Sequence, residues 1–461
     1  MTERIRVTLR DSKAARWTAL LIVSFTMFAG YYLADVMAPL KGLLENELKW
    51  SSTDYGFFTS AYGWFNVFLF FLIIGGIILD KMGVRFTGVM ASSIMVLGAA
   101  LKYYAVSTHS LDAMAPIFGW KAQVMLAALG FAIFGVGVEV AGITVSKVIV
   151  RWFKGHEMAL AMGLQISIAR MGTALAIGTS LPVALHFGHV SAPVLICLIM
   201  LCIGLVAFIL YTFQDKKLDA SIAADNVGRE VVAEEDFKMS DILFILKNKG
   251  WWYIAILCVL FYSAVFPFLK YATDLMVNKF GVDPYWAGAI PGLLPFGTIL
   301  LTPLFGGIYD KKGKGATIMI IGAVIIILVH MLFSVAIFNN YIFAIFLVIC
   351  LGIGFSLVPS AMWPSVPKII PERQLGTAFA LIFWVQNWGL MFVPLLIGWV
   401  LDKFCITGTS QLAGKTVTSY DYTIPMLIFT SFGVLALLFA FLLKAEDKKM
   451  GYGLELPNIQ K

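Results

Sequence analysis

Charged residues are scarce in this sequence, at 13% of 461 residues, while hydrophobic residues make up 60%. Soluble domains carry about 25% charged residues, so the composition excludes an ordinary soluble protein. The formal net charge of +7 lies in the short stretches between apolar runs. This distribution is typical of the cytoplasmic loops of a membrane protein. We therefore expect the lipid bilayer as a partner and no nucleic acid.

Motifs for catalysis and for cofactor binding are also missing. The five cysteines have neither metal-ligand nor disulfide spacing. The sequence contains no Walker-type phosphate-binding loop, no catalytic triad and no metal-ligand cluster. We therefore expect neither an enzyme nor a protein with a cofactor or metal site. No Asn-x-Ser/Thr acceptor sequence occurs, so glycosylation gives no support for an extracellular or lumenal location.

What the sequence does contain is a series of long apolar segments. Segments of about 20 mostly apolar residues recur along the chain and predict membrane-spanning helices. Strands are excluded because the segments lack the alternation of a membrane barrel. We expect an all-α membrane protein with twelve transmembrane helices in two pseudo-symmetric six-helix halves. The predicted spans lie near residues 17–39, 54–79, 86–106, 121–150, 157–184, 190–213, 250–277, 284–309, 316–338, 341–369, 374–401 and 422–444.

One long polar stretch divides the chain. We expect an N-terminal arm over residues 1–16, a first half over 17–213, a linker over 214–249, a second half over 250–444 and a tail over 445–461. Basic residues are more frequent in the loops on the side of the arm, the linker and the tail. We therefore expect both termini to be cytoplasmic.

The two halves repeat short sequence patterns. Residues 76–83 (GIILDKMG) recur as residues 306–313 (GGIYDKKG), and residues 135–137 (GVG) recur as residues 352–354 (GIG). Parallel repeats with a site at their interface are typical of secondary transporters. A non-transporting receptor or scaffold is disfavoured because it has no use for two copies of a gate motif.

Two charged residues lie inside predicted spans. Glu139 and Arg170 flank the same polar turn at distances of ~18–20 Å along their helices. A charge at mid-membrane costs about 2.5–3.5 kcal/mol, so a functional role is the default interpretation. The repeat places Ser356 and Asn387 at the equivalent positions of the second half, so the charges belong to one half only.

A carboxylate and a guanidinium complement the ammonium and the carboxylate of a small zwitterion. We therefore predict that Glu139 and Arg170 bind substrate. Two alternatives stay open at this point. The two residues form a permanent structural ion pair, or Glu139 carries a proton and drives symport.

Other side chains share helix faces with this candidate site. Tyr31 and Asp35 lie on the first span, where Asp35 either holds a substrate ammonium or belongs to an outer gate. Lys270 is either a second contact for a substrate carboxylate or is neutralised by Asp274 four residues later. The remaining candidates, each also explicable by ordinary helix packing, are Tyr62, Asn66, Ser356, Trp363, Trp384 and Asn387.

Residues 75–85 (GGIILDKMGVR) resemble the motif between the second and third spans of the major facilitator superfamily. In that family the motif helps to close the cytoplasmic side. The resemblance implies ionic contacts of Asp80 and Asp310 with Arg85 and Arg151. The implied cytoplasmic gate consists of Asp80, Arg85, Arg151, Asp310 and Lys311.

A closer resemblance covers both halves. Residues 62–67 (YGWFNV), 152–172 (WFKGHE to ARMG) and 372–378 (ERQLGTA) resemble the branch of this superfamily that contains a lysosomal dipeptide uniporter. The resemblance implies passive transport of dipeptides by alternating access. It also implies an acidic residue on span four and an arginine on span five in the site, and these positions match Glu139 and Arg170.

The alternative function is proton-coupled symport of an organic anion or another small metabolite. The N-terminal arm has no dileucine sorting signal, and glycosylation sequences are absent. We therefore expect a bacterial inner membrane rather than a lysosome, and a monomer.

Overall fold

The computed structural model describes residues 9–111, 113–153, 156–225, 239–371 and 374–457. Parts of the predicted N-terminal arm, linker and tail therefore lie outside the described residues. The described residues are helical almost throughout, with one β-hairpin near the end of the second half.

The first half of the chain forms long helices interrupted by short ones. Its helices are α1 (Lys13–Asp35), α2 (Lys41–Glu47), α3 (Ser52–Ser60), α4 (Trp64–Phe68), α5 (Phe71–Ser107), α6 (Ala122–Phe153), α7 (Met158–Phe187) and α8 (Ser191–Asp225). Short 3-10 turns lie at Leu9–Asp11, Ala38–Leu40 and Ala61–Gly63.

The second half repeats this arrangement. Its helices are α9 (Met239–Lys247), α10 (Lys249–Phe280), α11 (Pro284–Ala287), α12 (Ala289–Lys312), α13 (Gly315–Ser334), α14 (Tyr341–Ile369), α15 (Leu375–Phe404) and α16 (Thr423–Met450). Strands β1 (Ile406–Leu412) and β2 (Lys415–Tyr420) pair antiparallel between α15 and α16. Their two-residue turn has positive φ at Ala413 (49°) and Gly414 (81°), as tight hairpin turns require. The purely helical prediction missed this hairpin.

Eleven helices in the described part of the chain are long and apolar enough to cross a membrane. The end of the second predicted crossing and the whole third crossing both lie in α5. Gly83, with φ 76° and ψ 173°, bends that helix between them. The second crossing begins in α3 and α4, which Phe70, with φ 54°, separates from α5. The predicted all-α membrane fold is confirmed, and the second span is discontinuous where the sequence predicted one continuous helix.

The ends of the predicted linker are also helical. Helix α8 continues to Asp225, well into the stretch that the sequence assigns to the linker, and α10 already begins at Lys249. The separate helix α9 lies just before it. The polar composition of this stretch is compatible with helix because a helix that leaves the membrane needs no apolar surface on its exposed face.

The helices of each half pack in equivalent pairs. In the first half, α5 packs on α6 and on α8. In the second half, the equivalent contacts are those of α12 with α14 and of α13 with α16. The two most extensive helix pairs between the halves are α3 with α15 and α7 with α12. We call the side on which α1 begins and α16 ends the terminal side, and the side of α2 and the hairpin the opposite side.

Candidate functional site

A cavity of about 250 Å³ lies between the two halves. The first half lines it with residues from α1, α3, α6, α7 and the 3-10 turn at Ala61–Gly63: Tyr31, Ala34, Asp35, Thr59, Tyr62, Phe131, Val138, Glu139, Arg170 and Thr173. The second half lines it with residues from α10, α14 and α15: Tyr262, Phe266, Pro267, Lys270, Trp363, Phe383, Gln386, Asn387, Leu390 and Pro394. Three of the four charged lining residues belong to the first half and both amides belong to the second, while aromatic side chains come from both halves.

Glu139 is held in this cavity by a hydrogen bond to Tyr62. The Tyr62 hydroxyl donates to Glu139 Oε1 over 2.7 Å. Gly135, one turn earlier on α6, makes this contact possible, because a Cβ there would lie 2.2 Å from the Tyr62 carbonyl oxygen. The hydrogen bond leaves the second carboxylate oxygen available. Within the described residues, Glu139 forms no salt bridge.

Arg170 is surrounded by aromatic rings instead of carboxylates. Its guanidinium carbon lies 5.3 Å from the ring centre of Phe266, 5.9 Å from that of Phe355 and 6.0 Å from that of Tyr31. These distances fit cation–π contacts, which stabilise the cation but leave its N–H donors free for an anion. In the part of the chain that the structure describes, Arg170 forms no salt bridge. One alternative left open by the sequence was a permanent ion pair between Glu139 and Arg170. The described residues do not contain this ion pair.

Asp35 and Lys270 are paired with each other across the two halves. Lys270 Nζ lies 2.5 Å from Asp35 Oδ1 and also donates to the Ala34 carbonyl oxygen over 2.8 Å. The alternative in which Asp274 neutralises Lys270 is wrong. Asp274 instead accepts from Lys41 Nζ over 3.2 Å and from the Tyr422 hydroxyl.

A second group of charges closes the opposite side beyond this pair. Lys41 is completely buried between Glu45, at 2.6 Å, and Asp274, at 3.2 Å. The Tyr420 hydroxyl of the hairpin donates to Glu45 over 2.9 Å. Burial raises the pKa of Tyr420, so this hydroxyl keeps its proton and stays a donor. Lys415 of the same hairpin forms an ion pair with Glu47.

Backbone packing reinforces this closure. The Asp402 carboxylate accepts from the backbone N–H groups of Ser52 over 3.0 Å and of Thr53 over 2.5 Å, at the start of α3. A carboxylate is favoured there because the first N–H groups of a helix lack partners within it. Gly56 and Gly398 let α3 and α15 touch: a Cβ on either would lie 2.6 Å or less from a carbonyl oxygen of the other helix.

On the terminal side, the described partners of the predicted gate residues Asp80, Arg85 and Arg151 all belong to the first half. Asp80 lies 2.6 Å from Lys147, and both side chains are exposed. Arg85 and Arg151 bind Asp215 and Asp219 on α8. The predicted ionic contacts of these arginines with Asp80 and Asp310 are therefore replaced by contacts within the first half.

The two remaining gate candidates lie at the end of α12. Asp310 is partly buried there, and Lys311 is exposed. The described hydrogen bonds between the halves lie at the Asp35–Lys270 pair or beyond it on the opposite side, with one exception. The exception is the hydrogen bond from Trp384 to the Val67 carbonyl oxygen. The opposite side is thus the more tightly sealed of the two.

The structure brings most of the predicted substrate residues together. Those that line the cavity are Tyr31, Asp35, Tyr62, Glu139, Arg170, Lys270, Trp363 and Asn387. Asn66, Ser356 and Trp384 are not among the lining residues, because their polar groups serve the helices. Asn66 donates to the Gly135 carbonyl oxygen, Ser356 to that of Gly352 and Trp384 to that of Val67.

Sequence reasoning did not single out several lining residues. Tyr262 and Phe266 precede Lys270 at intervals of four along α10, so helical spacing from the predicted Lys270 identifies them. Gln386 adjoins the predicted Asn387. Phe383 and Leu390 follow only from the packing of α15, because an apolar residue of a span gives no sign of whether it meets lipid, protein or a cavity.

The family model for the Major Facilitator Superfamily matches residues 20–394. The chain belongs to the Major Facilitator Superfamily. It is therefore an integral, multi-pass membrane transporter, and neither the family nor its relatives are enzymes. The eleven apolar helices agree with this assignment.

Members of the superfamily similar to this chain include lysosomal dipeptide transporters. The chain is 27% identical to lysosomal dipeptide transporter MFSD1 of Bos taurus over 407 residues, which cover 84% of this chain and 80% of the relative. It is 28% identical to MFSD1 of Danio rerio over 406 residues, with 84% and 81% covered. The resemblance seen in the sequence motifs is thereby confirmed.

A solved structure shows the same fold. A bacterial homologue of the human lysosomal transporter Spinster, in an inward-facing and unoccupied conformation, matches with a TM-score of 0.66 and 13% identity. The match covers 98% of this chain and 99% of that one. The shared fold therefore extends beyond residues 20–394, which the family model matches.

Proposed function

We propose that this transporter carries dipeptides or similarly small zwitterions. The observation that supports this most is the placement of Glu139 and Arg170 in one cavity, with no salt bridge between them among the described residues. Each charge thus needs a counter-charge that a zwitterion supplies. The names of the relatives, lysosomal dipeptide transporters, point to the same substrate class.

Each end of the substrate has a defined partner in this proposal. The oxygen of Glu139 that does not bind Tyr62 accepts from the substrate ammonium. The guanidinium of Arg170 grips the substrate carboxylate with two parallel N–H donors, a geometry that lysine does not offer. The rings of Phe266 and Phe355 hold the guanidinium in place while it does so. A cavity of about 250 Å³ favours a small solute.

Alternating access requires each side to open in turn. We propose that the terminal side is cytoplasmic and that this structure is the conformation closed toward the outside. Asp35 and Lys270, with the Lys41, Glu45 and Asp274 cluster behind them, form the outer gate. Asp80 and Asp310, at equivalent turns of the two halves, form the cytoplasmic gate when the halves rock to close that side.

The proposed division of the chain follows from the two halves. The first half covers 17–213 and the second covers 250–444, with the linker over 214–249 and the arm and tail over 1–16 and 445–461. We propose that the protein works in a bacterial inner membrane, because it lacks glycosylation sequences and a dileucine signal in its arm. We propose a monomer as the working unit, because the cavity is lined by the two halves of one chain.

Uptake of a labelled dipeptide into proteoliposomes tests the proposal. We expect saturable uptake that Arg170→Ala and Glu139→Gln abolish while the protein stays folded. The control is Lys216→Ala, which removes an exposed cation of α8 and should leave uptake unchanged. Dipeptide uptake that persists in Arg170→Ala would show that the assigned role of Arg170 is wrong.

Proton-coupled transport of an organic anion is the second candidate. It is supported by the position of Glu139 in the cavity, where no described cation neutralises its carboxylate. In that case Glu139 titrates and Arg170 holds the anion. A pH gradient across the proteoliposome membrane separates the two mechanisms. A uniporter only equalises the two substrate concentrations, whereas a symporter accumulates substrate against its gradient.

A further inference from the structure

The second span is bent at Phe70, between α4 and α5. Phe70 has φ 54° and ψ 32°, which is the left-handed backbone conformation. In this conformation the Cβ of an L-residue comes too close to the following carbonyl oxygen, so residues other than glycine seldom adopt it. A strained residue of this kind persists only where its surroundings stabilise it. The contacts around Phe70 therefore determine whether the span stays bent.

These contacts come from α15, which belongs to the second half. In a continuous helix the Val67 carbonyl oxygen would accept from the N–H group four residues later. Here the indole N–H of Trp384 donates to it over 3.0 Å. The rings of Phe70 and Trp384 are stacked, with their centres 5.8 Å apart and their planes inclined by 22°. Two contacts from the other half thus stabilise the bend.

Beyond the bend, the second span leaves the second half. A Cβ on Gly56 would lie 2.6 Å from a carbonyl oxygen of α15, and one on Gly63 would lie 3.3 Å from the nearest side chain of α15. A Cβ on Gly76, beyond the bend, would meet no atom within 4 Å. Helices α3 and α4 pack on α15, whereas α5 packs most extensively on α6 and α8 of its own half. The two halves therefore diverge on the terminal side of Phe70.

We propose that Phe70 is a hinge for the terminal part of the second span and that Trp384 holds this hinge in its bent form. While the hinge is bent, the terminal side stays open. Closure of the terminal side straightens the span, with Phe70 in the right-handed conformation and the start of α5 against the second half. The Val67 carbonyl oxygen then accepts from the N–H group of Phe71 instead of the indole. This inference rests on the proposed alternating access.

The hinge sets local backbone effects against contacts between the halves. Straightening relieves the left-handed residue and restores a helical hydrogen bond. Bending gains the indole hydrogen bond and the ring stacking, and both of these involve α15. Because the contacts that favour bending join the two halves, a movement of one half against the other changes the balance. The hinge is thereby coupled to alternating access.

Glycine and alanine at position 70 test the hinge. Both lack the ring that stacks on Trp384, but only glycine adopts the left-handed conformation without strain. The measurement is the labelling of a cysteine introduced at Ala34 by an impermeant thiol reagent on the opposite side. It uses the full-length protein without its native cysteines. Because the bent form is closed on that side, we expect labelling about tenfold slower in Phe70→Gly than in Phe70→Ala, the factor that corresponds to 1.4 kcal/mol.

The same two substitutions at Leu72 are the control. Leu72 lies inside α5, where its backbone is already right-handed. Glycine therefore gains nothing there from the bend, and we expect equal labelling rates in Leu72→Gly and Leu72→Ala.

Trp384→Phe should act in the opposite direction. It keeps an aromatic ring next to Phe70 but removes the donor to the carbonyl oxygen of Val67, which is 1% exposed. The bent form then contains a buried acceptor without a partner, so we expect labelling from the opposite side to be about fivefold faster or more. Trp388→Phe, on the same helix, is the matched control. Its ring packs on Phe68 and its indole makes no hydrogen bond to any described residue, so labelling should stay close to that of the wild-type chain.

The outcomes distinguish a hinge from a general loss of stability. A loss of stability changes labelling in one direction, whereas the hinge predicts opposite effects of glycine at position 70 and of Trp384→Phe. Equal labelling in Phe70→Gly and Phe70→Ala overturns the hinge, and so does wild-type labelling in Trp384→Phe. Thermal unfolding checks that each variant is folded, and either comparison decides the question if the variants of the other do not fold.

Failure of the hinge is also distinguishable from failure of the proposed function. Asp35→Asn, which breaks the ion pair of the outer gate, is the positive control for labelling at Ala34. If Asp35→Asn leaves labelling unchanged, the proposed outer gate and the hinge fall together. If only the hinge variants leave it unchanged, the hinge alone is wrong. The assay contains no dipeptide, so its result does not depend on the identity of the substrate.

Discussion

Asp35 on α1 and Lys270 on α10 form a 2.5 Å ion pair that joins the two halves of this transporter at the rim of the central cavity. The side chains are 11% and 17% exposed, so water screens the pair little. Opening of the opposite side has to separate these two charges. The pair therefore contributes to the barrier or to the equilibrium between the two conformations.

Neutralising one member of this pair should favour opening of the opposite side. Removing one partner of a buried pair costs about 3–5 kcal/mol in the state where the other stays buried. We expect Asp35→Asn or Lys270→Met to speed labelling of a cysteine introduced at Ala34 by an impermeant thiol reagent on that side. The measurement uses a background without the native cysteines.

The double variant Asp35→Asn with Lys270→Met is the control for this experiment. It leaves no unpaired charge, so its labelling should be slower than that of either single variant. The two changes should be non-additive, as expected for residues in direct contact. Labelling rates that are the same in all four chains contradict a gating role for the pair.

Close packing of α3 and α15 should be needed for closure of the opposite side. Gly56→Ala places a Cβ 2.6 Å from the Pro394 carbonyl oxygen, and Gly398→Ala places one 2.2 Å from that of Ser52. Since backbone atoms cannot move aside easily, we expect each to destabilise the closed conformation by about 1–3 kcal/mol. The labelling rate of the cysteine introduced at Ala34 measures this shift away from the closed conformation.

Gly76→Ala is the matched control for these glycine variants. Gly76 lies in α5, and a Cβ there meets no atom within 4 Å. Alanine is favoured over glycine in a helix by about 1 kcal/mol, so this variant should be as stable as the wild-type chain or more so. An effect of Gly76→Ala on labelling equal to that of Gly56→Ala would mean that helix propensity, not close packing, causes the change.

The Tyr62 hydroxyl should contribute to substrate affinity through Glu139. Tyr62→Phe removes the 2.7 Å hydrogen bond that orients the carboxylate. Hydrogen bonds to charged groups contribute about 1.5–3 kcal/mol, so we expect dipeptide affinity to fall by about tenfold or more. Calorimetry or a ligand-dependent shift in unfolding temperature measures the change.

Tyr32→Phe controls for the loss of a buried hydroxyl alone. The Tyr32 hydroxyl bonds to that of Thr179 over 2.8 Å, and Tyr32 is not among the residues that line the cavity. We expect its substrate affinity to equal that of the wild-type chain. Equal losses of affinity in both variants contradict a specific role for Tyr62.

Asp215 should stabilise the first half on its terminal side. Its carboxylate accepts from Arg151 Nε over 3.0 Å, from the Tyr211 hydroxyl over 3.0 Å and from Trp152 Nε1 over 3.2 Å. The side chain is only 1% exposed. Arg151 keeps Asp219 and Trp152 Nε1 keeps the Tyr211 hydroxyl as partners, but Asp215→Ala removes the acceptor of the buried Tyr211 hydroxyl, so we expect it to lower the free energy of unfolding by about 1–3 kcal/mol.

Asp219 provides the comparison for Asp215 on the same helix. It binds the same arginines, but its side chain is 43% exposed. Exposed ion pairs contribute about 0–1 kcal/mol, so Asp219→Ala should lower the unfolding temperature far less than Asp215→Ala. Similar losses in the two variants are incompatible with a stabilising role that depends on burial.

The fold was largely predictable from the sequence, and the site was predictable in part. Apolar runs of membrane-spanning length specify helices because lipid leaves the backbone no other way to satisfy its hydrogen bonds. Glu139 and Arg170 stood out because a charge in such a run is costly. The discontinuity at Phe70 was missed because it does not interrupt the apolar run of the second span. The β-hairpin after α15 was missed because it lies in the polar stretch between two predicted spans, for which hydropathy predicts no secondary structure.

The partners of the charged residues were the hardest feature to predict. Lys270 and Asp274, four residues apart on one helix, suggested mutual neutralisation, yet the structure pairs them with Asp35 and Lys41 of the other half. Arg85 and Arg151 bind carboxylates of α8 that carry no motif. Spacing along one helix identifies neighbours on that helix only, and contacts between helices depend on how those helices pack.

The sequence alone determined that this protein is a two-half, helical membrane transporter of the Major Facilitator Superfamily and that its first half carries an acid and an arginine within the membrane. These properties depend on hydropathy, repeats and motifs, which are local. Only the tertiary structure decided that Glu139 and Arg170 share a cavity without pairing and that the opposite side is sealed. Those properties depend on distances between helices far apart in sequence, which packing sets.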